Sequence, residues 1–188
     1  NPTRTGLLQV LARMGGKIDI RTTGKEDSVD EPLGTLLTVP SELNGTQIDK
    51  DEVSVMIDEF PVLAILAARA VGVTRITGAS ELRVKESDRI KVLVENLRRI
   101  GVKVEELTDG MEIVGTDRPL IGRVQSHHDH RIAMAFGVLG AIPGNRIEVE
   151  DSAVADVSFQ GFWECLRRLT MPGSDVKQES RGKGSRAE

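Results

Sequence analysis

Two stretches of the chain are apolar at almost every position, Phe60 to Val71 (FPVLAILAARAV) and Ile132 to Ile142 (IAMAFGVLGAI). Each makes about three turns of helix, well short of the roughly 20 residues that cross a bilayer, so each must be buried on most sides within a protein. Both are followed by a glycine and an alternating segment: Gly72 leads to Thr74-Arg75-Ile76-Thr77, and Gly144 leads to Arg146-Ile147-Glu148-Val149. Period-two alternation, seen also in Met111-Glu112-Ile113-Val114, marks a strand with one face covered. Helices buried all round beside half-covered strands put the helices within and the sheets outside, the reverse of a TIM barrel.

A second unit recurs as well. Leu7, Val10, Leu11 and Met14 form a helical stripe that runs into Gly15-Gly16 and the alternating Lys17-Ile18-Asp19-Ile20. Ile90, Leu93, Val94, Leu97 and Ile100 repeat it, ending at Gly101 and Val102-Lys103-Val104-Glu105. Phe162, Trp163, Leu166 and Leu169 begin a third copy, which stops at Pro172-Gly173. Equivalent positions, Arg4 and Arg89 or Asp58 and Asp129, are too far apart for a solenoid repeat. The expected fold class is therefore α/β, an inside-out arrangement of large βαβ-type modules with buried helices and outer sheets. Residues 1–170 make one domain of two full repeats and a truncated third. The polar residues 171–188 are expected to be a disordered tail. A start at Asn1-Pro2-Thr3 without Met suggests a piece of something longer.

Charge excludes some functions. Lys and Arg number 25 against 29 Asp and Glu, a net charge of -4, which argues against non-specific nucleic-acid binding. Anion binding must then be local. No apolar run long enough to span a membrane and no basic-apolar leader is present, so a cytoplasmic protein is expected. The single Cys165, set among Phe162, Trp163, Leu166 and Leu169, reads as a helix-core residue.

The chemistry concentrates at helix starts. Glu81-Leu82-Arg83-Val84-Lys85-Glu86-Ser87-Asp88-Arg89 crowds charges just before an amphipathic helix that Ser87 or Asp88 can cap. Free N–H groups there, beside Lys85 and Arg89, suit a phosphate or carboxylate, although a solvated charge run reads the same way. His127-His128-Asp129-His130-Arg131 opens the second buried helix. Consecutive residues point in different directions and cannot close around one ion, so no metal site is expected. Arg131 in a first turn opposes the helix dipole, which an anionic ligand would relieve. Asp58-Glu59 stands at the equivalent place between Val53-Ser54-Val55-Met56-Ile57, read as a strand, and the helix begun near Pro61. Its bland reading is an N-cap. The repeat puts Asp58, Lys85 to Arg89, and His130-Arg131 on one rim.

Leu82 to Arg89 resembles the RVKESDR signature of 5-enolpyruvylshikimate-3-phosphate (EPSP) synthases, and Asp129 to Ala135 resembles their DHRIAMA signature. Ile57-Asp58-Glu59-Phe60-Pro61 looks like the family's IDE-P segment, and Ser158-Phe159-Gln160-Gly161-Phe162 is similar to its SFPGF helix start. The likeness covers residues 1 to about 170 but only the C-terminal half of the family's length. It implies two inside-out α/β barrel domains with the active site between them, the missing N-terminal domain being this chain's partner. It also implies a shikimate-pathway transferase that moves the enolpyruvyl group of phosphoenolpyruvate to the 5-hydroxyl of shikimate 3-phosphate, with no metal or organic cofactor.

By the same resemblance Asp58 would be the base or hydroxyl-orienting group and Glu86 the acid that protonates carbon. Lys85 would contact shikimate 3-phosphate, as would Asp58. Arg89 and Arg131 would hold phosphoenolpyruvate through their planar forks. His130 would assist proton transfer, with Asp129 an orienting neighbour. The family pattern is broken at Ala155-Asp156-Val157, where some members have a lysine, and at Glu81, where some have asparagine. Two alternatives stand beside this reading: half of the sister enolpyruvyl transferase acting on UDP-N-acetylglucosamine, and a non-catalytic anion-binding module. The chain alone is expected to fold without turning over.

Overall fold

The computed structural model describes residues 5–23 and 33–170. The predicted tail at 171–188 and the start of the chain lie outside the described residues. The helices are α1 (Gly6–Arg13), α2 (Lys50–Ser54), α3 (Phe60–Ala67), α4 (Arg89–Arg99), α5 (His130–Gly140) and α6 (Phe162–Thr170). The strands are β1 (Lys17–Thr23), β2 (Leu33–Val39), β3 (Gln47–Ile48), β4 (Val73–Ile76), β5 (Lys103–Leu107), β6 (Gly110–Val114), β7 (Ile121–Gln125) and β8 (Arg146–Glu150). They form an antiparallel β1–β2 pair, a sheet ordered β3-β4-β6-β5, and a parallel β7–β8 pair. The result is a mixed α/β domain whose described strands make separate sheets, without closure into one barrel.

The two apolar helices lie where the sequence requires. α3 buries Phe60, Pro61, Leu63, Ala64, Ile65 and Ala67, and α5 buries Ile132, Ala133, Ala135, Phe136, Gly137 and Leu139. Each large side chain among them contributes about 1.5–3 kcal/mol by leaving water. α3 packs on both α4 and α5, α4 on β5 and β7, and α5 on β8, so helices meet at the centre and sheets flank them. One face of β4 is covered, with Thr74 and Ile76 buried and Val73 and Arg75 exposed, whereas β2 is exposed at every residue and the β1–β2 pair has no such covered face among the described residues.

α4 begins and ends as its sequence dictates. The Asp88 carboxylate accepts the Lys91 amide at 3.0 Å, capping the first turn. Gly101 takes φ 97°, the left-handed value a C′ glycine supplies. Arg98 and Arg99 sit in the last turn, where they complement the dipole.

Two local expectations are overturned. Val53 to Ile57 is not a strand: Lys50–Ser54 is helical and turns follow to Glu59. The Asp49 side chain accepts the Asp51 and Glu52 amides, and those acidic residues occupy the first turn. Val53 and Met56, three apart, are thereby buried together. The second correction concerns α6. Its helix forms, yet none of its residues is buried; Leu169 is 73% exposed and Cys165 is exposed rather than in a core. The stripe is amphipathic, but its contacts are marginal: Trp163 lies against Gly137 of α5 and donates its Nε1 to the Ser152 carbonyl at 2.8 Å, and Phe162 meets the Phe159 ring.

Candidate active site

Three chain segments bring charged side chains to one spot. The turn before α3 presents Asp58, the first residue of α4 is Arg89, and the start of α5 supplies Asp129, His130 and Arg131. Arg89 is wholly buried, an arrangement tolerated only when carboxylates replace its hydration. Its Nε donates to Asp129 Oδ2 at 2.7 Å, and its Nη2 donates to Glu86 Oε2 at 2.6 Å. Asp58 Oδ1 lies 3.7 Å from Arg89 Nη1, too long for a hydrogen bond. Arg131 Nη2 meets Asp58 Oδ2 at 3.2 Å, and its Nη1 donates to the Asp58 carbonyl at 3.3 Å. Both arginines therefore face one carboxylate.

Their hydrogen-bonding capacity is not used up. Arg89 Nη1 and Arg131 Nε are buried and have no hydrogen-bond partner among the described residues. A buried guanidinium N–H left unmatched costs about 1–3 kcal/mol, more when charged, so an oxyanion supplying acceptors there is favoured. The spot is electrostatically mixed: two guanidiniums stand among the carboxylates of Asp58, Glu86 and Asp129.

Each residue singled out in the sequence has a definite place. Asp58 is not the cap of α3; Glu59 holds that position without a side-chain cap bond, and Asp58 turns to the arginines. The unfavourable charge of Arg131 in a first turn is met by Asp58, a protein carboxylate where an outside anion was expected. Glu86 is about half exposed on its link to Arg89. Lys85, in extended backbone after a short 3-10 helix (Ser80–Val84), is exposed at the rim. His130 is partly buried at the first position of α5, outside the arginine contacts just described.

Sequence reasoning understated Asp129. It is fully buried and serves four groups: one oxygen caps α5 through the Arg131 and Ile132 amides, at 3.0 and 3.3 Å, and the other takes Arg89 Nε and the Ser87 hydroxyl, at 2.7 and 3.4 Å. The turn that delivers it is strained, with His127 and His128 at φ 50° and 62°. An aspartate directly before a buried helix signals the cap, but nothing in the sequence pairs it with Arg89. Arg83 was also passed over. Burial works against its charge, yet the bonds to Glu106 and Asp88 outweigh that and hold its pKa above the ordinary arginine value.

Comparison with known proteins shows which family the chain resembles. The family model described as EPSP synthase (3-phosphoshikimate 1-carboxyvinyltransferase) matches residues 1–166. The 3-phosphoshikimate 1-carboxyvinyltransferase of Alkaliphilus metalliredigens is 47% identical over 169 residues, 90% of this chain and 39% of that protein. That of Thermus thermophilus is 49% identical over 170 residues, 90% of this chain and 38% of its own length. The EPSP synthase structure from Acinetobacter baumannii superposes with a TM-score of 0.79 at 37% identity, over 89% of this chain and 39% of that one. The enolpyruvyl transferase NikO from Streptomyces tendae shares the fold, with a TM-score of 0.63 at 20% identity over 88% of this chain and 35% of its own. The chain thus spans about two-fifths of the relatives it matches, and within that span it belongs to the EPSP synthase family.

Proposed function

We propose that this chain is the C-terminal part of an EPSP synthase, one inside-out barrel domain carrying half of an active site that a second domain completes. The whole cytoplasmic enzyme transfers the enolpyruvyl group of phosphoenolpyruvate to the 5-hydroxyl of shikimate 3-phosphate and releases phosphate. The observation that supports this best is the pair of arginines facing Asp58, Arg89 fully buried and Arg131 partly so, with the buried Arg89 Nη1 and Arg131 Nε unmatched among the described residues. Two planar forks with spare N–H groups suit a small ligand bearing both carboxylate and phosphate.

In this reading Asp58 accepts the proton of the 5-hydroxyl as its oxygen bonds to C2 of phosphoenolpyruvate. Glu86 gives a proton to the methylene carbon, which becomes a methyl group, and the adduct is tetrahedral. Loss of a methyl proton back to Glu86 and departure of phosphate re-form the double bond. Arg89 and Arg131 hold the phosphoenolpyruvate anion throughout, and Lys85 takes the phosphate of shikimate 3-phosphate. His130 helps move protons at the α5 start, while Asp129 orients Arg89. Positioning two substrates away from water is worth on the order of 7–11 kcal/mol of barrier. Without the second domain the chain folds but does not turn over.

The test is reconstitution. The chain is mixed with the separately produced N-terminal remainder of the Thermus thermophilus relative, and phosphate release is followed with phosphoenolpyruvate plus shikimate 3-phosphate. Recovery that Glu86→Gln abolishes supports the reading. Turnover by the chain alone, or recovery indifferent to Glu86→Gln, overturns it.

A further inference from the structure

The residues given substrate-facing roles at Lys85 and Glu86 lie on a stretch with almost no packing of its own. Val84 is 83% exposed, Lys85 and Glu86 are exposed, and Lys85 is in extended backbone after the 3-10 helix ends. Burial therefore cannot fix where this stretch sits. What brackets it is one guanidinium. Arg83 Nη1 donates to both Asp88 oxygens, at 3.2 and 3.0 Å, so the residue before the stretch is tied to the residue after it. The same Nη1 lies 2.9 Å from Glu106 Oε1, Nε donates to the Thr108 carbonyl at 2.9 Å, and Nη2 donates to the Leu107 carbonyl at 2.7 Å.

Those acceptors all belong to the end of β5 and the turn into β6, which are anchored independently. Gly78 and Ala79 donate their amides to the Asp109 side chain and carbonyl, at 2.8 and 2.7 Å. The segment from Gly78 to Asp88 is thus stapled to one hairpin near its start and, through Arg83, at its finish. Asp88 is also the cap of α4, whose first residue is Arg89. A planar five-donor fork meets two carboxylates and two carbonyls at once; lysine cannot reproduce that geometry.

We infer that Arg83 is a positioning residue: by clamping Asp88 to the β5–β6 hairpin it sets the placement of Lys85 and Glu86 against the Arg89–Arg131 site. The inference rests on the substrate-facing reading of Lys85 and Glu86, and two readouts on the 188-residue chain separate the two. The first needs no ligand. Heteronuclear NOEs of the 84–87 amides fall in Arg83→Gln, while those of α5 stay as in the unaltered chain. Asp88→Asn, which keeps a capping oxygen and weakens the link to Arg83, produces a smaller fall of the same kind and serves should Arg83→Gln fail to fold. The second readout is titration with shikimate 3-phosphate. Arg83→Gln weakens binding about tenfold, the loss of one hydrogen bond to a charged group, and Arg83→Lys recovers little of it. In a Lys85→Ala background the same substitution costs less than about twofold, because the contact it positions is gone. A lowered melting temperature with unchanged NOEs at 84–87 makes Arg83 a purely structural clamp and overturns the inference. Loosened 84–87 amides in a chain whose unaltered form does not bind shikimate 3-phosphate leave the clamp standing and sink the substrate assignment instead.

Discussion

Asp129→Asn isolates the electrostatic role of a carboxylate that is fully buried. The substitution keeps the side chain's size and an oxygen able to cap α5, and removes the charge facing Arg89 at 2.7 Å. Both partners are fully buried, so water cannot compensate. Breaking such a pair costs about 3–5 kcal/mol. Glu86 still holds Arg89 Nη2 at 2.6 Å, which places the expected loss near the lower end, about 3 kcal/mol. Asp129→Ala removes the cap as well and should lose about 1 kcal/mol more. For a chain of this size each kcal/mol lowers the melting temperature by about 2–4 °C, so Asp129→Asn should melt about 6–12 °C below the unaltered protein. Urea unfolding followed by circular dichroism, with the slope checked for constancy, gives the free energies. A loss under about 1 kcal/mol for Asp129→Asn, or an alanine variant no worse than the asparagine one, would refute the reasoning.

Three further outcomes follow from other contacts. Gly110→Ala should abolish soluble expression or strip several kcal/mol from stability, because a Cβ there would come within 1.9 Å of the Ile76 carbonyl oxygen, a backbone atom that cannot step aside; normal yield and melting would contradict it. Glu164 in α6 titrates below its ordinary range because Arg167, then Arg168, hydrogen-bond its carboxylate. A depressed folded pKa gives stability that is present above the ordinary carboxylate value and lost as pH falls through the lowered one, so carbon-detected NMR of Glu164 should show a low midpoint, and one at or above the ordinary value would sink this. Glu86→Asp keeps the charge but shortens the reach to Arg89, and should tighten inorganic phosphate binding several-fold by isothermal titration; unchanged or weaker binding counts against Glu86 as an internal occupant of that site.

Much of the framework was legible because it is local. The apolar runs at 60–71 and 132–142 could only be interior helices, and Asp88 and Gly101 marked the ends of α4 before any coordinates were needed. Val53 to Ile57 misled because β-branched alternation looks like a strand. The cap at Asp49 and the burial of Val53 with Met56 outweighed that propensity. For α6 the amphipathic stripe showed that a face wants covering; whether a neighbour covers it is a property of the whole assembly. The site was legible as a set of residues but not as a set of pairs. Arg89 finds Asp129 forty residues away and Asp58 on a third segment, and no periodicity encodes contacts of that range.

The charge balance of that set bears on how an anion could enter it. Among the described residues in contact there, Arg89 and Arg131 carry two positive charges, while Asp58, Glu86 and Asp129 carry three negative ones, a balance that does not by itself draw an anion from a distance. Of the three carboxylates, Asp129 is immovable, because it is buried and caps α5, and Asp58 is held by the Arg131 guanidinium at both its carboxylate and its backbone carbonyl. Glu86 alone is half exposed, on a stretch with little packing. An incoming carboxylate or phosphate can take the Glu86 place on Arg89 and leave the rest undisturbed, exchanging one charge-assisted bond for another while also filling the unmatched Nη1 of Arg89 and Nε of Arg131. The exchange would free the Glu86 carboxylate beside the newly bound ligand, where under the proposed reading it takes up a proton from solvent before passing it to carbon. It also explains why binding should be weak in this chain alone: the ligand displaces an internal competitor, and the additional cations that would favour the exchange must come from outside these residues.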